Sequence, residues 1–320
     1  MSGVLGGLIG SFARRVAQWT QTTPSAYVPT PRGAAMFTVG GVPSVLVFGS
    51  NGSNASTTYS QFSVANNTQT NRSLPASYRY GVAAASSSTV MVAASDRDIA
   101  YVSTNGTSWT FTELDLSLET DMNDLIHDGT RFLCLTNEGL AFYITSWTAI
   151  NVTGSALGFN GTSSYIAAGL SGTAYRRCLN ANPTVLANWV TGTLPTPGGG
   201  GYYSSVVFGN GIWVAAVPNT TNYATSTDGI TWTSRTLPSN FSNNNAIRAR
   251  MVFFDGAFYY YYINNVYKST DGINWATNAT FSDTALDNLM AWAKSDTLYG
   301  FGVDTLATTT VKPFIRLGLG

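Results

Sequence analysis

In "SSVVFGNGIWVAAV", residues 204–217, apolar positions run almost unbroken on both sides of Asn210-Gly211. The same arrangement recurs in "MVFFDGAFYYYY" around Asp255-Gly256, in "DLIHDGTRFLCL" around Asp128-Gly129 and in "LGFNGTSSYIAA" around Asn160-Gly161. Asn-Gly and Asp-Gly supply the positive φ angles of a two-residue hairpin turn. Runs this short and continuous, bounded by turn residues, predict strands covered on both faces. A second turn follows in each unit, seen in "YATSTDGITWT" (223–233), "YKSTDGINWAT" (267–277) and, with Asn for Asp, "YVSTNGTSWTF" (101–111).

The tryptophans of these second turns set a ruler. Trp109, Trp147, Trp189, Trp232 and Trp275 are separated by 38, 42, 43 and 43 residues. Each period reads as four strands: two around the first Gly turn, a third, and a hairpin into the fourth. Four antiparallel strands every 40 or so residues is the pattern of a propeller blade. At the front "RYGVAAASSSTVMVAAS" leads to Trp109 and one more unit, "AAMFTVGGVPSVLVFGS", precedes it, while "NLMAWAKSDTLYGFGVDTLATTTVKPFIRLG" fits as a last one. In the first unit Gln69 takes the Trp place. The expectation is an all-β chain, a β-propeller of seven four-stranded blades over residues 34–320.

The start of the chain breaks the pattern. Val4, Leu5, Leu8, Ile9, Phe12, Val16 and Trp19 fall at helical spacing, which predicts a short helical arm over residues 1–20 for anchoring or oligomerisation. Its glycines weaken a solitary helix by about 1 kcal/mol each against Ala, so it reads as a helix packed on another chain. Its apolar run is too short to span a bilayer, and no basic segment precedes it as in a signal peptide. Pro24, Pro29 and Pro31 make residues 21–33 a Pro-rich linker.

Composition narrows the function classes. Lys+Arg and Asp+Glu are 16 each, so the net charge is zero and charged residues are only 10% of the chain. That leaves no electrostatic footprint for nucleic acid or an anionic membrane. Cys134 and Cys178 are lone cysteines that read as buried thiols, with a disulfide as the alternative. With one His, His127, no metal site is expected, and no cofactor. "TPGGGGYY" (196–203) has the glycines of a phosphate loop but neither its Lys nor a following helix.

Ser226-x-Asp228-Gly229-x-x-Trp232 resembles the Asp-box turn of sialidases and other propellers, one residue shorter between Asp and Gly. Ser269, Asp271, Gly272 and Trp275 match in the same way, and Ser103, Asn105, Gly106 and Trp109 match with Asn in the Asp place. The resemblance implies an architectural turn on the rim opposite any active site. The longer phrase "VVFGNGIWVAAV…ATSTDGITWTSRTLP" looks like propeller repeats of bacteriophage tail and virion proteins. That implies a virion protein, tail-associated or fibre-like rather than in the head.

The candidate chemistry is thin. A sialidase-like hydrolase would want three arginines, a Tyr–Glu pair and an acidic Asp, and the chain has three Glu: Glu113, Glu119 and Glu138. Asp121, Asp124 and Asp128 read as a solvated loop, and Arg176-Arg177 and Arg248-x-Arg250 as rim charges. No catalytic set is assigned. Tyr202, Tyr203 and Tyr223 lie in inter-unit and second-to-third-strand loops, where Tyr can stack on a sugar and hydrogen-bond it. The reading is a non-enzymatic virion protein that contributes to attachment to a host-surface polysaccharide. Its other partners would be virion proteins or further copies of itself, met through the arm. A decoration protein without ligand and a sialidase-like glycoside hydrolase are the alternatives.

Overall fold

The computed structural model describes residues 17–22, 30–50, 56–65, 68–78, 81–88, 91–95, 99–114, 116, 122–169, 172–198, 201–241, 250–281, 288–294, 296–303 and 314–319. Their strands form seven four-stranded antiparallel sheets. Six are built from consecutive strands and are numbered here as blades 1 to 6, with inner strands Thr30–Val39, Gly81–Ser86, Met122–His127, Ala156–Phe159, Ser205–Gly209 and Val252–Phe254. Blade 7 has Asn288–Lys294 inside, then Leu298–Val303 and Phe314–Leu319, and takes its outer strand from the start of the chain. Contacts between neighbouring sheets run round from blade 1 to blade 7 and back to blade 1, closing a ring.

The ring is held by seams. Seven buried apolar clusters each join two neighbouring blades. Phe37, Leu46 and Tyr59 of blade 1 meet Tyr101 and Trp109 of blade 2, and Val45 and Phe62 on the other face of blade 1 meet Tyr299 and Phe301 of blade 7. This is why second strands such as Phe132–Thr136 and Ile212–Ala216 are buried along their whole length. Because every blade hands over to the next after four strands, all inner strands start on one side of the ring. That side, the entry face, also carries the second-to-third-strand loops. The opposite hairpin face carries the first-to-second and third-to-fourth-strand turns of each blade.

The N-terminal expectation is corrected. No α-helix occurs among the described residues, and Ala17–Thr22, inside the expected helical arm and reaching into the expected linker, is a strand. It pairs antiparallel with Phe314–Leu319, from Ala17↔Leu319 to Thr22↔Phe314. The segment AQWTQT alternates, and Trp19 packs edge-on to Tyr259 of blade 6 at 5.6 Å while its indole N–H donates to Asn278 Oδ1 at 2.6 Å. Edge pairing plus this burial outweighs the helical spacing that ended on Trp19. Residues 1–16 lie outside the described residues, as do 23–29 of the linker. Thr30–Gly33 open the inner strand of blade 1, so the propeller takes in residues ahead of 34.

The Gly turns divide into two kinds. Gly209↔Ile212 and Phe254↔Ala257 leave two-residue loops, with Asn210 and Gly211 at φ 47° and 78° and Asp255 and Gly256 at 45° and 71°. His127↔Phe132 and Phe159↔Tyr165 leave longer loops in which only the Gly has positive φ. There the Asp128 and Asn160 side chains accept the backbone N–H groups that follow them.

Candidate functional site

The second turns are architecture on the hairpin face. In blade 5 the Asp228 carboxylate accepts N–H bonds from Ile230 (2.8 Å) and Thr231 (2.7 Å), and the Ser226 hydroxyl donates to it at 2.9 Å. The same oxygen of Ser226 accepts the Gly229 N–H at 2.8 Å. In blade 6 Asp271 is bonded alike to Ser269, Ile273 and Asn274. In blade 2 Asn105 accepts from Thr107 and Ser108. These bonds hold the Asp228 carboxyl down at a pKa of about 2, first through the Ile230 and Thr231 N–H groups, and that of Asp271 lower still through Asn274. Glycine is required twice over. Gly106 has φ 71°, and a Cβ there would come within 2.7 Å of Val39 in blade 1.

Each turn is also tied to the blade before it. Tyr59 of blade 1 donates to the Gly106 carbonyl at 2.8 Å and accepts the Trp109 indole N–H at 3.0 Å. Tyr175 of blade 4 donates to the Gly229 carbonyl at 2.8 Å, with Trp232 edge-on at 5.8 Å. Tyr223 of blade 5 donates to the Ile273 carbonyl at 3.1 Å and accepts from Trp275 at 3.2 Å. A tyrosine on the third strand thus straps the next blade's hairpin three times over.

The entry face has a polar centre. Arg250, just ahead of the inner strand of blade 6, reaches across the bore to blade 3. Its guanidinium donates to the Asn123 carbonyl at 2.5 Å and to the Ser204 carbonyl of blade 5, and its Nε lies 3.6 Å from Asp124 Oδ2. That same Asp124 oxygen accepts the Leu157 N–H of blade 4 at 2.9 Å. The Asn123 amide donates to the Gly154 carbonyl, Ser155 Oγ to the Tyr203 carbonyl, and Trp292 of blade 7 to the Arg250 carbonyl. The result is a hydrogen-bonded collar through blades 3 to 7, with one arginine as its crossbar.

The sequence-derived site residues fall as follows. Tyr203 and Tyr223 are buried, and their hydroxyls donate to Pro195 and Ile273 carbonyls, so neither ring offers a face to a sugar. Desolvation pushes the Tyr203 phenol up to about 12. Tyr202 is half-buried on the entry face. Asp124 and Arg250, read as loop and rim charges, come together in the bore. Asp128 is committed too: Tyr165 donates to it at 2.8 Å and Arg131 Nε lies 3.2 Å away. Arg177 lies over the Tyr175 ring. Cys134 and Cys178 are free and buried. No cluster of three metal-ligating side chains occurs among the described residues, nor a helix long and apolar enough to cross a membrane. Arg250 and Asp124 lie 126 residues apart, and only the ring geometry pairs them.

Comparison with known proteins bears on the fold. Residues 182–312 match a family described as the DUF6242 beta propeller domain. No curated protein matches the chain. Among solved structures, YCF48 bound to D1 peptide is 15% identical with a TM-score of 0.68, over 94% of this chain and 97% of that one. A catalytically inactive virginiamycin B lyase from Staphylococcus aureus with quinupristin is 12% identical with a TM-score of 0.66, over 95% and 100%. PorZ, a bacterial surface component of the type-IX secretion system of Porphyromonas gingivalis, is 12% identical with a TM-score of 0.58, over 88% of this chain and 36% of that one. The β-propeller is shared by a lyase and by a peptide-binding protein, and function resides in the site rather than the fold.

Proposed function

We propose that this chain is a non-enzymatic attachment propeller, a rigid head that contributes to holding a virus particle, most simply a phage tail, on a neutral glycan of the host surface. The observation that carries the reading is the saturated centre of the entry face. Acid–base or nucleophilic chemistry needs a carboxylate or base free to exchange protons with a substrate. At that centre Asp124 and Arg250 are spent on joining blades, and on the hairpin face Asp128 is bonded to Tyr165 of blade 4. Zero net charge and a chain rich in Asn and Thr suit hydrogen bonding to uncharged sugars. The virion assignment rests on the phrasing of the repeats around Trp232 and Trp275.

The test incubates the purified full chain with isolated bacterial surface polysaccharide and assays sedimentation together with reducing-sugar release. Binding without release is expected. Sugar release would replace this reading with the glycoside hydrolase. Neither binding nor release would put the ligand-free decoration protein in its place.

A further inference from the structure

The seam between blades 2 and 3 opens into a groove on the hairpin face. It comprises two cavities of about 550 Å³ and 490 Å³ that share Tyr143. Both fall in the size range of small-ligand sites. Among the described residues no Lys, Arg, Asp or Glu lines either one; the walls are hydroxyls, aromatic rings, an Asn, His127 and the aliphatic Val102 and Ile144.

Tyr143 stands at the middle. Its ring leans on Trp147 at 5.1 Å and on Phe132 at 6.4 Å, and its hydroxyl has no partner among the described residues. At one end His127 packs on Phe132 at 4.6 Å, and its Nδ1 accepts the Gly129 N–H at 3.3 Å. Burial lowers the His127 pKa, so the ring is neutral near pH 7 and its Nε2 carries the N–H. At the other end Phe111, 46% exposed, is propped edge-on by Tyr101 at 6.2 Å. The lip carries Ile144, 61% exposed. The walls are set before any ligand arrives, because Asp128 and Asn105 fix the two flanking turns by backbone hydrogen bonds. Pre-formed walls lower the ordering cost of binding.

We propose that this groove binds a neutral oligosaccharide, laid along the seam from His127 past Tyr143 to Phe111. Its chemistry selects that class. A phosphate, sialic acid or nucleic acid would find no cation in the lining. A purely apolar ligand would strand the hydroxyls of Ser88, Thr130 and Thr145. Sugar rings present an apolar face to Tyr143 and Phe111 while their hydroxyls exchange hydrogen bonds with the walls. The inference rests on the attachment reading and gives it a location, on the face opposite Tyr202.

The experiment applies the full chain to a printed array of neutral and sialylated oligosaccharides. Ile144→Arg, Tyr143→Phe and Tyr202→Ala run in parallel, each first checked for an unchanged thermal melt. The wild type should bind neutral members. Ile144→Arg and Tyr143→Phe should each weaken binding about tenfold, the scale of one lost hydrogen bond or an obstructed lip, and Tyr202→Ala should not. Neutral glycan binding that both groove variants retain would overturn the location and leave attachment standing. Binding confined to sialylated members would overturn the ligand class. A blank array for the wild type would remove the attachment reading along with the groove.

Discussion

Replacing Arg250 with Ala removes the crossbar of the collar. Two charge-assisted bonds to the Asn123 and Ser204 carbonyls disappear, and Asp124 loses its only cation among the described ion pairs. Bonds to charged groups contribute about 1.5–3 kcal/mol each, and breaking a buried pair costs about 3–5 kcal/mol. Both side chains keep 16% exposure, so water entering the bore can resolvate what is left. The net expectation is therefore a loss of about 2–4 kcal/mol. At roughly 2–4 °C per kcal/mol for a large domain, the melting temperature should fall by about 4–16 °C. Reversible urea unfolding gives the free energy, and a cycle with Asp124→Asn isolates the pair. Asp124→Asn alone should cost less, because the Leu157 N–H retains an acceptor. Coupling near 1 kcal/mol is expected for partly exposed charges. An Arg250→Ala protein that melts with the wild type would show that the bore is hydrated and that blades 3 and 6 are not joined there.

The turns and seams set four further outcomes. Asp228→Ala should cost about 0.5–2 kcal/mol by analogy with helix caps, whereas Asp228→Asn should cost little at neutral pH, since Asn105 already does the same work in blade 2. The folded Asp228 and Asp271 carboxyls sit below their unfolded values, so their contribution is complete above about pH 4 and lost as pH falls toward about 2; the double Asn variant should flatten that acid limb in melts recorded across it, and an unchanged limb would refute the linkage. Ile263 occupies φ 35° in a two-residue turn, so Ile263→Gly should raise stability by about 1 kcal/mol by chemical denaturation. Cys134 and Cys178 should react with a thiol reagent only after denaturation, as two equivalents without reductant; zero equivalents would reveal a disulfide.

The repeats were readable because blade packing leaves a local trace. Asn210-Gly211 and Asp255-Gly256 announce hairpins, and Trp232 and Trp275 recur because each closes a seam. Other features were hidden for physical reasons. Ala17–Thr22 becomes a strand only because a partner strand arrives from Phe314–Leu319, and the sequence near Trp19 carries a competing helical spacing. Tyr203 and Tyr223 read as loop aromatics, yet ring closure buries them. Arg250 and Asp124 meet across the bore, and no local pattern encodes a contact between blades three apart. Tyr143 lies in a unit whose second turn lacks the Ser, Asp and Gly of the motif, so no repeat signal marks it.

The borrowed strand of blade 7 has a consequence for the order of events on the ribosome. Ala17–Thr22 leaves the ribosome some 290 residues before its partner Phe314–Leu319. Until then the face of blade 1 that carries Val45, Val47 and Phe62 has no Tyr299 or Phe301 to cover it. Closing a loop of some 300 residues costs about 5 kcal/mol beyond a constant, and it is offset only when the final seam forms. A nascent chain of six blades therefore carries a long-lived sticky face, and chaperone capture should concentrate in the interval between blade 1 and the last strand.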